Sequence, residues 1–206
     1  MTGDIMSVSR LRMATDGKGV STLVAFYGCP LKCEYCINEC NNNKHTLLGT
    51  ARALYEPEEL IELLRKDAIY YLMTGGGIVF GGGEPLLQAE FIHEVCRLAG
   101  EGWKKRIETS LNVPWESVAT VVGDIDEWII DIKDLNKFRY QKYTGSDNKK
   151  VLNNLMGLRR LLSPEAFRIR VPHIRGYNTD EQVARSAEWV KKTFHVEPDV
   201  FDYIVV

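Results

Sequence analysis

The chain has 206 residues, 45% of them apolar and 26% charged, and a net charge of −2; that is enough for a substantial core, and the scattered Lys and Arg exclude the basic surface of a nucleic-acid or anionic-membrane binder. No apolar run approaches the roughly 20 residues of a membrane span, and residues 1–10 lack the apolar core of a signal peptide. Five cysteines, three of them clustered, are not a secreted disulfide framework, so the chain reads as one cytoplasmic domain over residues 1–206.

No repeat, linker or low-complexity tract interrupts an alternation of short apolar runs with amphipathic helical patterns. Residues 22–27 form the first expected strand. Pro57 sits in the first turn of a helix whose buried face carries Leu60, Leu64, Ala68 and Leu72, and residues 75–77, all glycine, stop it. Residues 78–80 are a short buried strand, followed at once by Gly81-Gly82-Gly83-Glu84-Pro85. A second helix carries Leu87, Phe91, Val95 and Leu98 and ends at Gly100. Residues 106–109 and 128–132 are the third and fourth strands. Val151, Leu155, Leu158 and Leu162 mark a further helix, and residues 167–171 a fifth strand. Thr179-Asp180-Glu181-Gln182 fits a capping box, with Val183, Ala187, Val190 and Phe194 on the buried face behind it. Residues 201–206 are the sixth strand.

Such alternation predicts an α/β fold with a parallel sheet and right-handed crossovers. Six strands are too few for an eight-stranded closed barrel and fit a partial (β/α)6 barrel. In barrels of this kind the active site lies at the C-terminal ends of the strands, and the chemically suggestive residues fall there.

The loop after the first strand holds Cys29, Cys33 and Cys36 at Cys-x3-Cys-x2-Cys spacing. Thiolates are soft ligands suited to iron–sulfur clusters, zinc or copper. Three cysteines leave one iron of a 4Fe-4S cluster without a protein ligand, and that iron can take a small molecule through an amine and a carboxylate. The other readings are a set of reduced core thiols, or a zinc knot completed by Cys40 and His45, although structural zinc sites favour paired Cys-x2-4-Cys knuckles. Cys96, one helical turn from Ile92, belongs to the core. The glycines at 81–83 let backbone approach a ligand closely. A strand alternates its faces, so Asp131 and Lys133 point the same way, as do Arg168 and Arg170. An acid and a cation side by side can hold opposite ends of a zwitterion.

The run Tyr27-Gly28-Cys29-Pro30-Leu31-Lys32-Cys33-Glu34-Tyr35-Cys36 resembles the cluster loop of the radical S-adenosylmethionine (SAM) superfamily, with Tyr35 as the aromatic residue before the third cysteine. Its Gly-Cys-Pro-Leu-Lys-Cys wording resembles the glycyl-radical enzyme activating enzymes, of the pyruvate formate-lyase activating type. The resemblance implies a radical SAM core with one 4Fe-4S cluster on Cys29, Cys33 and Cys36. It implies SAM contacts at Tyr35, at Gly82, Gly83 and Glu84 for the amino group, at Thr109, Asp131 and Lys133, and at Arg170 for the carboxylate or ribose. It further implies a monovalent cation at Glu108, Thr109 and Asp131, with Glu108 standing where the family has the shorter Asp.

Tyr143-Thr144-Gly145 and residues 171–178 match the same branch, Arg175 replacing a proline. Asp16-Gly17-Lys18-Gly19-Val20-Ser21 resembles the branch's Asp-Gly-Pro-Gly-Ile-Arg segment without its proline and arginine. The implied activity is reductive cleavage of SAM to a 5′-deoxyadenosyl radical, which takes hydrogen from a glycine of a large glycyl-radical enzyme. A flavodoxin or ferredoxin supplies the electron. No second ferredoxin-like cysteine set is present, so one cluster and no additional ferredoxin-like domain are expected. A radical SAM enzyme acting on a small molecule or peptide, such as a 7-carboxy-7-deazaguanine synthase, is the alternative. A non-enzymatic iron–sulfur or zinc protein is the third reading.

Overall fold

The computed structural model describes residues 1–13, 15–36, 52–99 and 101–203. They fall into two compact units. The first comprises Met1–Cys29, Asn38–Glu108 and Trp115–Asp126; the second comprises Pro30–Ile37, Thr109–Pro114 and Glu127–Val206.

The first unit holds strands β1 (Gly3–Met13), β2 (Val20–Phe26), β3 (Ala53–Tyr55), β4 (Gly77–Gly82) and β5 (Lys104–Thr109). They lie in the order β3-β1-β2-β4-β5. β2, β4 and β5 are parallel, as their apolar runs predict. β1 and β3 were not expected. β1 pairs antiparallel with both β2 and β3, which corrects the all-parallel expectation. A register shift interrupts β1 between Ser9 and Arg12, where Leu11 takes a left-handed φ of 54°. One extra residue in a strand re-aims its side chains. Arg10 can therefore reach Asp67, while Arg12 turns to Asp16.

The first helical stretch was expected to run as one helix to Leu72. It is two: α1 (Pro57–Arg65) and α2 (Ala68–Thr74). Pro57 and a capping box between Glu56 and Glu59 start α1, and Leu60, Ile61 and Leu64 bury its inner face. The break is at Asp67, whose carboxylate takes two hydrogen bonds from Arg10 (2.8 and 2.6 Å) and one from the Thr22 hydroxyl (3.2 Å). Tyr71 joins this network by donating to Thr22 at 2.6 Å, and burial pushes its phenol up to about 12. Restarting the helix rotates its face, so Tyr71 is buried and Leu72 is 61% exposed. The next helix, α3 (Ala89–Ala99), is preceded by a 3-10 turn over Pro85–Gln88. Leu87 lies in that turn and is exposed rather than part of a buried stripe, while Phe91 and Val95 are core. Helix α4 (Trp115–Val121) completes the unit. The expected helix stop at Gly100 lies outside the described residues.

The second unit holds β6 (Glu127–Asp131), α5 (Lys137–Thr144), α6 (Lys149–Leu161), β7 (Phe167–His173), α7 (Asp180–Phe194) and β8 (Asp199–Asp202). Its three strands are parallel in the order β6-β7-β8. Val151, Leu155 and Leu158 bury the face of α6, and the expected capping box between Thr179 and Gln182 starts α7. Leu162 falls just past the end of α6. The expected last strand is β8, and residues 204–206 lie outside the described residues. Helices α4 and α5 were not expected; α5 is mostly polar, with only Tyr140, Tyr143 and Thr144 buried. Among the described residues no helix is long and apolar enough to cross a membrane.

Candidate cofactor site

In the first unit the parallel ladder of β2 and β4 continues beyond the strands. Phe26 is in register with Gly82. Past it, Gly83 N–H donates to the Phe26 carbonyl (2.9 Å) and Glu84 N–H to the Gly28 carbonyl (2.8 Å). The chain entering the cysteine loop is thereby zipped to the Gly82-Gly83-Glu84 segment. The contact explains the glycine at 83: a Cβ there would lie 2.1 Å from the Gly28 carbonyl oxygen. Gly82 has φ 91°, and a Cβ on it would come within 2.8 Å of Ala25. The glycines thus serve close approach of the chain to itself. The Glu84 side chain is fully buried, and its carboxylate accepts from Leu86 N–H at 3.3 Å, capping the 3-10 turn.

Tyr27, just ahead of Cys29, is pinned from three sides. Its N–H donates to the Asp4 carbonyl (3.0 Å). Its carbonyl accepts from the Gln88 side chain (3.3 Å), which also bonds Asp4 through both ends of its amide (2.7 and 3.1 Å). The Arg52 guanidinium, paired to Asp4 at 2.6 Å, stacks 3.6 Å from the Tyr27 ring centroid. Glu108 lies on β5 beside Gly81, where a Cβ would stand 3.2 Å from its carboxylate. Its charge adds to that of Asp16 in raising the Arg12 guanidinium, the hydrogen bonds Arg12 donates to Asp16 being the larger cause.

In the second unit the rest of the cysteine loop lies along the end of α5. Lys32 N–H donates to the Thr144 carbonyl (2.9 Å) and Glu34 N–H to the Tyr143 carbonyl (3.1 Å), bracketing Cys33. The Tyr35 ring packs 5.9 Å from Tyr177 and 6.2 Å from Tyr143. Asp131 and Arg170 are in register on β6 and β7, and Arg170 Nε donates to Asp131 Oδ1 at 2.6 Å. Lys133 Nζ approaches the other carboxylate oxygen at 3.5 Å. Burial works to raise Asp131, but Lys133 and Arg170 outweigh it and hold the carboxyl low. Burial likewise opposes the Lys133 charge, and Asp131 and Cys33 more than offset it. Burial pushes the Cys33 thiol up, and Lys133 pulls against it. Arg168 is paired separately with Asp199 at 3.1 Å.

Thr109 is buried, its hydroxyl accepting from Leu111 N–H (2.9 Å). That bond opens a tight loop in which Leu111 has a left-handed φ of 58°. Asn154 on α6 spans the loop from beneath, donating to the Leu111 carbonyl (2.9 Å) and the Val113 carbonyl (2.8 Å).

Cys29, Cys33 and Cys36 are half-buried and in no disulfide; Cys96 is buried in the core, its thiol pushed up to about 12 mainly by burial. Among the described residues no group of three His, Cys, Asp or Glu side chains is placed to hold a metal ion. Cys40 and His45 lie outside the described residues. The sequence carries no local signal for Gln88, for Asn154, or for Tyr203, whose ring packs 6.2 Å from Tyr143. Each acts through a contact with a segment far away in the chain.

The family model described as the Radical SAM superfamily matches residues 23–190. The (2S)-3-sulfopropanediol dehydratase activating enzyme of Klebsiella oxytoca is 36% identical, over 86% of this chain and 73% of that protein. The 4-hydroxyphenylacetate decarboxylase activating enzyme of Clostridioides difficile is 32% identical, over 82% of this chain and 52% of that protein, so the chain spans about half of its length. A domain of pyruvate-formate lyase-activating enzyme from Bacteroides vulgatus, of known structure, is 30% identical, with a TM-score of 0.50 over 62% of this chain and 78% of that one. The fold likeness extends to Streptococcus suis SuiB bound to S-adenosylmethionine. There the TM-score is 0.65 over 87% of this chain and 39% of that one, at 16% identity.

Proposed function

Because the chain belongs to the radical SAM superfamily, in the branch of the glycyl-radical enzyme activating enzymes, we propose that it installs a radical on a large glycyl-radical partner enzyme. Cys29, Cys33 and Cys36 hold one 4Fe-4S cluster. The observation that carries this reading is the set of three half-buried thiols within eight residues, none of them in a disulfide, with Cys33 bracketed by backbone hydrogen bonds from Lys32 and Glu34 to Thr144 and Tyr143. Their chemistry suits the cluster, and three ligands leave one iron for the amine and carboxylate of SAM. When bound, the cluster supplies one electron for reductive cleavage of SAM into methionine and a 5′-deoxyadenosyl radical.

The protein's part is binding, orientation and exclusion of water. Gly82 and Gly83 offer backbone beside the loop, and Tyr35 offers a ring held in place by Tyr143 and Tyr177. Lys133 keeps its charge through Asp131, and it and Arg170, both beside that carboxylate, are suited to a carboxylate ligand. Glu108, Thr109 and Asp131 are the residues this reading gives to a monovalent cation, and a flavodoxin or ferredoxin is the electron donor.

The test is anaerobic reconstitution with iron and sulfide, followed by reduction, addition of SAM and assay of 5′-deoxyadenosine. The wild-type chain should form it. Cys33→Ala should lose cluster loading and product while keeping its circular dichroism. Full cleavage by Cys33→Ala, or zinc bound in place of a cluster, would overturn the reading.

A further inference from the structure

Helix α5 carries no Asp or Glu. Its outward stripe is Lys137, Phe138, Gln141 and Lys142, all exposed, with Phe138 at 77%. In a chain of net charge −2, residues 136–150 hold five Lys or Arg and one Asp. Arg139 is paired with the buried Asp134 (2.7 Å), and Asp147 accepts from Lys149 N–H (3.0 Å) at the start of α6. Lys137 and Lys142 meet no carboxylate among the described residues; the Lys142 ammonium stands 5.3 Å from the Tyr177 ring centroid. Lys32 extends the stripe at the C-terminal end of the helix, where its Cβ would lie 3.7 Å from a Cβ on Gly145. Glu34 is an exposed acid on the same side, beside Tyr177.

The face thus has an apolar centre in Phe138 and a basic rim, the make-up of a docking surface. Its place indicates the occupant. The end of α5 is bonded to the cysteine loop on both sides of Cys33. Lys142 lies on Tyr177, Tyr177 packs edge-on against Tyr35 (5.9 Å), and Tyr35 adjoins Cys36 in the chain. Eight residues make a helix about 12 Å long, so the whole stripe stands close to Cys33. Passing an electron needs only proximity, whereas hydrogen abstraction needs the glycine against the reacting carbon itself. An exposed face that borders the loop suits the first. A second copy of the chain is disfavoured, because a two-fold contact would set Lys137 and Lys142 against their own counterparts.

We propose that the outer face of α5, centred on Phe138 with Lys137, Lys142 and Lys32 around it, docks the acidic protein that delivers one electron to the cluster. The inference rests on the cluster reading above. The carrier is oxidised by one electron and the cluster reduced by one, with no bond made or broken. Opposite charge speeds the encounter, and Phe138 supplies the water-excluding contact.

The test uses the whole reconstituted chain and follows bleaching of the cluster by stopped flow, with a reduced acidic flavodoxin as the probe. Photoreduced 5-deazariboflavin, a small reductant that needs no docking face, is the control. Lys137→Glu/Lys142→Glu should cut the bimolecular rate constant with flavodoxin about tenfold at low salt, and the gap should close above about 0.5 M salt. Phe138→Ala should lower it severalfold at both salt concentrations, because an apolar contact is not screened. Cluster content and the rate with 5-deazariboflavin should not change in either variant. Equal losses with both reductants would overturn the proposal. Flavodoxin rates unchanged in both variants would also overturn it and leave the face to the protein substrate. A wild-type cluster that 5-deazariboflavin reduces and flavodoxin does not would sink the docking face while the cluster reading stands. A wild-type chain that takes up no iron and sulfide overturns the cluster reading and this inference with it.

Discussion

Replacing Gly83 by alanine should damage the site before any cofactor binds. The added Cβ would stand 2.1 Å from the Gly28 carbonyl oxygen, far inside the 3.0 Å that real Cβ contacts respect. The obstacle is backbone, so no flexible side chain can yield. The two segments must move apart by roughly 1 Å, and the bonds Gly83 N–H to Phe26 O and Glu84 N–H to Gly28 O go with them. Each bond contributes about 1 kcal/mol, and overpacking adds about 1–3 kcal/mol. The sum is about 3–5 kcal/mol, a large share of the roughly 5–15 kcal/mol that stabilises a domain. With an m-value near 2 kcal/mol/M, the urea midpoint of the iron-free protein should fall by about 2 M at unchanged slope. Gly123→Ala is the control, because a Cβ there meets nothing within 4 Å; it should be neutral or stabilising by up to about 1 kcal/mol. A Gly83→Ala midpoint matching wild type would show that the two segments are not held together as described.

Asn154→Ala should orphan the Leu111 and Val113 carbonyls and release a non-glycine residue held at φ 58°. The expected cost is about 2–4 kcal/mol in thermal unfolding, with faster amide exchange across residues 109–113; an unshifted melting curve would sink the idea that Asn154 holds this loop. His93, half-exposed, is hydrogen-bonded to Asp124 at 2.7 Å, and that bond raises its pKa above the ordinary value. The folded state therefore favours the imidazolium. The stabilisation is fully present below the unfolded pKa of about 6.5 and is lost as pH rises through the raised folded value. His93→Gln should thus cost at most about 0.5 kcal/mol near pH 6, after screening by solvent, and nothing near pH 8. Equal urea-midpoint differences at the two pH values would refute the pairing.

Features carried by local pattern were legible in the sequence. The parallel strands of each unit read out as short apolar runs, because a parallel strand is covered on both faces. The capping box at Thr179 and the proline at Pro57 read out because a helix start is decided within four residues. Antiparallel β1 and β3 escaped notice because their apolar residues are interrupted by polar ones, and only pairing with β2 and with each other makes them strands. The single helix expected to reach Leu72 failed for a related reason. Helical spacing continues through Asp67, but the pull of Arg10, 57 residues earlier in the chain, breaks it.

The site divides along the same line. The clustering of the three cysteines and the shared face of Asp131 and Lys133 follow from spacing and strand alternation, while Tyr35 and the glycines at 82 and 83 stand out only through the resemblance of their segments to the superfamily's motifs. What the sequence could not supply is which partner each residue meets. Asp131 and Lys133 look like two ends of a ligand clamp. The register of β6 against β7 brings Arg170 to Asp131 and turns the pair into a three-membered charge cluster. Gly83 looks like a ligand-facing glycine, and its closest neighbour is the Gly28 carbonyl. Tyr143 belongs to a short matching motif, and only folding packs its ring against Tyr35, Tyr177 and Tyr203. Local chemistry depends on residue type and spacing within a few positions. The partners depend on tertiary register between segments tens of residues apart, and no window along the chain contains that information.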